Sequence, residues 1–164
     1  MPVLPFQSLP SSPPRSVSML STFPPRLCGL ATFAGALSSA LERAGTVDER
    51  VPVDDGRASP VRDTQTSVSA RRRRSDQASE ALDGGDVAIV QHEFGIFGGR
   101  DGDEVLDILE ALTVPSIVVL HSVPAEPTAH QRQVMEALCA AAGRVVVMAF
   151  AAGERLLSSY DVDP

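Results

Sequence analysis

Along residues 16–160 the apolar positions change period repeatedly, and the changes predict alternating strands and helices. Residues 16–23 place Val17, Met19 and Leu20 in a short run that Pro24 and Pro25 end, the mark of a brief buried strand. From Leu30 the spacing becomes Leu30, Phe33, Ala34, Leu37, Leu41 and Ala44, which lays one apolar stripe along a helix stopping before Gly45. Val47, Val51 and Val53 alternate as in a further strand. Residues 86–91 form a compact apolar run after Gly84 and Gly85, and a Gly-rich loop follows. Val105, Leu106, Ile108, Leu109 and Leu112 then give the apolar side of a helix that Pro115 ends, with Asp101 or Asp103 placed to cap it. A strand over 116–120, a helix over 128–142, a strand over 144–148 and the start of a helix over 151–159 complete the series.

Strands that are apolar throughout, separated by helices, are strands buried on both faces. The predicted fold is therefore α/β, a Rossmann-like parallel sheet with helices on both faces and right-handed crossovers. At 164 residues the chain suffices for one domain. Residues 1–16, rich in Pro and Ser, read as a flexible leader to a domain over 17–164, and residues 54–68 are too polar to be assigned structure.

Charge is distributed unevenly. Residues 1–75 carry a formal charge of +4 and residues 76–164 one of −11, within a total of −7. An acidic second half repels a phosphate backbone, and residues 71–74, four consecutive arginines, have no interleaved aromatic for stacking on bases. Nucleic acid is therefore not an expected partner. The arginine run is read as a solvated face, with peripheral contact to acidic lipid headgroups as its less favoured role. Cys28 and Cys139 lie far apart without CxxC spacing, and no apolar stretch reaches the length of a membrane span, so a cytoplasmic protein is expected.

Ligands of open parallel sheets collect beyond the carboxyl ends of the strands. Three segments there carry chemistry: Gly29 opens a helix, His92 and Glu93 follow one strand, and His121 follows another. A glycine at a helix N-terminus lets a phosphate or sugar approach unpaired N–H groups, although a simple tight turn needs it as well. A histidine at a strand end can hydrogen-bond a hydroxyl or a developing charge. Neither GxGxxG nor a P-loop is present, HExxH fails at Phe97, and the ligand spacing of a calcium loop is missing after Asp101, so no metal or other cofactor is expected. His130, on a polar helix start, is expected to be exposed.

The segments PPRLCGLATF, DVAIVQHEFGIFGGRDGD, PSIVVLHSV and AGRVVVM resemble actinobacterial family-four glycosyltransferases, QHEFGIFGG most specifically. The resemblance covers residues 18–164 apart from a poorly matched middle. It implies the N-terminal half of a GT-B fold, with transfer of a sugar from a nucleotide-sugar donor to an acceptor sugar or glycolipid, with retention of configuration. By the same resemblance Gly29 approaches the donor, His121 is the active-site histidine, and His92 and Glu93 line the acceptor cleft; no metal is implied. Cys28-Gly29 stands where a glycine pair is common, and Ala149-Phe150 replaces more polar residues. The family's C-terminal domain, which supplies most nucleotide contacts, has no counterpart within these residues, so the expectation is an incomplete unit inactive by itself. Two alternatives stay open: a non-catalytic sugar- or nucleotide-binding remnant, and a small acid-base enzyme using His92, Glu93 and His121.

Overall fold

The computed structural model describes residues 14–53 and 64–163, with the side chains of the second stretch described from Val68 onward. The chain runs β1 (Ser16–Ser21), α1 (Gly29–Arg43), β2 (Val47–Pro52), α2 (Thr64–Leu82), β3 (Val87–His92), a 3-10 turn (Arg100–Gly102), α3 (Glu104–Ala111), β4 (Ser116–Leu120), α4 (Ala129–Ala141), β5 (Arg144–Val147) and α5 (Phe150–Ser159). The five strands form one sheet in the order β2-β1-β3-β4-β5, and every pairing is parallel. The expected α/β architecture, a Rossmann-like parallel sheet between helices, is the observed one.

Alternation along the strands divides the core in two. Val17, Met19, Ile89 and Val119 face α1, which contributes Ala34, Leu37 and Leu41. Leu20, Ala88, Val90, Val118 and Leu120 face the other way, against Leu82 of α2, Val105, Ile108 and Leu109 of α3, and Val134, Met135 and Leu138 of α4. Leu156, within α5, and Tyr160, just beyond its end, join this second layer. Burying each such Val, Leu or Ile stabilises the fold by roughly 1.5–3 kcal/mol, so the more populated face carries most of the packing energy.

Two local devices fix helix starts. Thr128 caps α4 with a reciprocal capping box involving Gln131. Cys28 caps α1, its Sγ accepting the Ala31 N–H at 3.4 Å. The expected capping of α3 by an aspartate is not observed: Asp103 holds the N-cap position but makes no side-chain cap bond. Its carboxylate instead accepts from Arg71 Nη1 at 2.9 Å.

That contact explains the largest departure from the sequence reading. Helix α2 begins at Thr64, so residues 64–68 are helical, while 54–63 and the leader residues 1–13 lie outside the described residues. Between Val68 and Arg74 the helix buries no large apolar side chain. Ion pairs across to α3 serve instead, with Arg71 on Asp103 and Asp107 and Arg74 on Glu104.

Candidate functional site

The chain passes from β1 outward to β2, then crosses back to β3 on the other side of β1, so the strand order reverses between β1 and β3. In an open parallel sheet a crevice forms at the carboxyl end of such a reversal. The segments that leave this end of the sheet at the reversal are the loop from Thr22 to Cys28 with the start of α1, and the loop that follows His92.

Gly29 is the first residue of α1, exposed to solvent, and a Cβ built there meets nothing within 4 Å. Packing within the protein therefore does not demand glycine. The Thr22 hydroxyl lies 3.3 Å from Cys28 Sγ, and this contact, with the Ala31 N–H, holds the Cys28 thiol below its ordinary pKa. The Thr22 hydroxyl and the first-turn N–H groups thus favour the thiolate at this end of α1.

His121 stands one residue beyond β4. Its backbone N–H donates to His92 O at 2.9 Å, which continues the β3–β4 ladder past the strand end. Its ring meets Phe33 of α1 edge-on, with centroids 4.9 Å apart, and its Nε2 lies 2.6 Å from Gln91 Oε1. The Gln91 amide nitrogen points to Met19 Sδ at 3.8 Å, which leaves the amide oxygen for the imidazole. That arrangement assigns the ring proton to Nε2 and leaves Nδ1 as an acceptor. Burial pushes the His121 pKa down, partly countered by the charge of Glu93, so the neutral ring is favoured.

Glu93 Oε1 accepts from Ser122 Oγ at 2.8 Å and from the Phe94 N–H at 3.0 Å, tying the loops after β3 and β4 together. Gly29, Glu93 and His121 therefore share the carboxyl edge, with Phe33 linking α1 to His121.

His92 does not join them. As the neighbour of Gln91 on β3 it points to the opposite face, where it has no exposed surface. Its ring lies edge-on to Phe94 and stacked on Phe97, with centroids 5.1 and 6.1 Å away. Neither ring nitrogen has a hydrogen-bond partner among the described residues, and desolvation, assisted by the neighbouring His121, lowers its pKa to about 4. A side chain sealed in this way cannot touch an acceptor unless the Phe94–Phe97 cover moves.

Two other expectations are corrected. His130 is only 21% exposed, and its Nδ1 bonds Asp101 at 2.9 Å. The arginine run is a solvated face only in part: Arg72 and Arg73 are exposed, whereas Arg71 and Arg74 are spent on α3. Pattern alone gave no sign that Gln91 or Phe33 would touch His121, although Gln91 directly precedes His92 and shares its strand. Among the described residues no group of three or more His, Cys, Asp or Glu side chains could hold a metal ion, and no helix is long and apolar enough to cross a membrane. No protein-family model matches the chain, and no curated protein does either.

Proposed function

We propose that this chain is the N-terminal, acceptor-side half of a GT-B type glycosyltransferase, transferring a sugar from a nucleotide-sugar to an acceptor sugar or glycolipid with retention of configuration. The observation that carries the reading is the pairing at one sheet edge of an open helix N-terminus at Gly29 with a neutral His121 whose Nδ1 is left to accept. The α1 terminus suits the departing phosphate, and the histidine suits a hydroxyl of the transferred sugar, where charge develops as the glycosidic bond breaks. Glu93, held by Ser122 and the Phe94 N–H, keeps a carboxylate beside the histidine that favours its cationic form as that charge moves.

A second body facing this edge is part of the reading. Leu27 is fully exposed and Phe150 is 83% exposed, both in segments that leave the carboxyl ends of strands. Large apolar side chains at such a place suit cover by another domain, which in this reading holds the nucleotide.

The chain is expected to be inactive by itself, so the test is a transfer assay on the full chain supplied with a nucleotide-binding C-terminal GT-B domain as a second polypeptide, with UDP- and GDP-sugars and glycoside or glycolipid acceptors, products being read by mass spectrometry. His121→Ala is expected to lower transfer by about 100-fold or more, the scale of a lost proton-handling or polar catalytic group. Transfer unchanged by that substitution would refute the role of His121, and absence of both nucleotide-sugar binding and transfer would refute the reading as a whole.

A further inference from the structure

On the face away from His121, a cavity of about 160 Å³ opens between the carboxyl ends of β1 and β2 and the helices α2 and α3. Leu20, Val51, Phe97 and Ile108 give it apolar walls, while Arg74 and Glu104 bring polar groups to it. Arg74 Nη2 donates to both Glu104 oxygens, at 3.0 and 2.9 Å, but its buried Nε has no partner among the described residues. On the far side of Phe97 lies His92, with both ring nitrogens equally unpartnered. One aromatic ring thus separates two buried polar groups, each of which costs on the order of 1–3 kcal/mol when left unpaired.

Glycines flank Phe97 on both sides, Gly95 before it and Gly98 and Gly99 after it. Gly95, Gly99, Asp101 and Gly102 all have positive φ, so the loop turns on residues with little side-chain restriction, Asp101 being the exception. Its far end is pinned by Asp101 on His130, by Asp103 on Arg71 and by Gly98 O, which accepts the Glu104 N–H at 3.2 Å, so freedom to turn is left to Phe94–Phe97.

We propose that Phe97 is a movable partition, and that turning it aside joins the cavity to His92 as one chamber for a single neutral, hydroxylated six-membered ring. Size sets the first part of that choice: an engineered cavity of about 150 Å³ admits one benzene-sized molecule. Charge sets the second. Glu104 neutralises Arg74 with both of its oxygens and His92 is uncharged, so neither an anion nor a cation gains a counter-charge. Hydrogen bonding sets the third. Arg74 Nε offers a donor and neutral His92 one donor and one acceptor, a set that hydroxyl groups complete, while the apolar walls take the ring's C–H face. This inference does not rest on sugar transfer, since the chamber lies across the sheet from His121.

The experiment is ¹⁵N NMR of the His92 ring in the full chain, titrated with methyl glucoside, with methyl mannoside and, separately, with toluene. A glycoside is expected to shift the His92 ring signals saturably. Phe97→Ala, with Phe97→Leu as the variant that retains more of the core, should tighten apparent affinity roughly tenfold, because a closed state no longer competes. A response to toluene alone would overturn the proposal in favour of a merely apolar void. No saturable response in wild type or either variant up to the solubility limit, or a resident water on His92 that no glycoside displaces, would overturn it too. Transfer activity is measured separately, so failure here leaves the His121 reading standing, and the converse holds.

Discussion

At Gly29 and Gly98 the same substitution to alanine meets opposite surroundings. A Cβ at Gly29 meets nothing within 4 Å, whereas one at Gly98 lies 2.6 Å from the Glu104 carboxylate. Gly98→Ala is therefore expected to push Glu104 off Arg74 and to cost about 1–3 kcal/mol in urea unfolding, the usual penalty of overpacking. Gly29→Ala should leave stability unchanged or slightly raised, since alanine is the better helix former, and should weaken nucleotide-sugar binding if the α1 terminus receives the donor. His92 supplies a second prediction. Its folded pKa of about 4 lies below the ordinary 6.5, so its contribution is complete above about pH 6.5 and is lost as pH falls towards 4. A shift of that size corresponds to about 3 kcal/mol, so wild type should lose that much more stability than His92→Phe between neutral pH and pH 4. Equal losses in the two proteins would show that the ring is hydrated in the folded state. Gly29, Glu93 and His121 were legible because each stands directly after a recognisable strand or loop. The burial of His92 and the partner of His130 were not, since they depend on which face a strand residue takes and on Asp101, 29 positions away from His130.

The strands β3, β4 and β5 were legible almost to the residue, because a run of Val and Ile between glycines or prolines satisfies local and tertiary preference together. Helix α2 was not. Its sequence TQTSVSARRRRSDQASEAL carries almost no apolar stripe: Ala78, Ala81 and Leu82 pack into the core at its end, and before them Arg71 and Arg74 hold it through charge placed on α3 some 30 residues later. The two arginines differ in what they contribute. Arg71 and Asp107 are 31% and 41% exposed, so that pair is worth no more than about 1 kcal/mol and should fade with added salt. Glu104 is only 13% exposed, so Arg74→Met leaves a mostly buried carboxylate unpaired and should cost about 2–3 kcal/mol, largely independent of salt. The combined Arg74→Met, Glu104→Leu variant should recover part of that loss. Urea midpoints at low and high salt separate the two contributions, and equal salt sensitivity of Arg71→Ala and Arg74→Met would contradict this division.

Over the whole molecule a long-range repulsion opposes a short-range attraction. The formal charge is −7, with −11 in residues 76–164, so identical chains repel at a distance. The carboxyl edge and the β5 margin of the sheet meanwhile display Leu27, Met148 and Phe150, with Val146 on β5 itself 45% exposed. β5 is also an edge strand, and the sequence RVVV places no proline there to obstruct pairing with another strand. Apolar association acts only on contact and is little weakened by salt, whereas the repulsion has a range of about 10 Å at 0.1 M salt and about 3 Å at 1 M. Self-association should therefore rise with ionic strength, the reverse of an assembly held by ion pairs. Sedimentation velocity across that range is expected to move from monomer towards larger species, and Leu27→Ser with Phe150→Ser should hold the chain monomeric throughout. If wild type stays monomeric at every salt concentration, those side chains are not adhesive, and the case for a second domain packing across this edge loses its physical support.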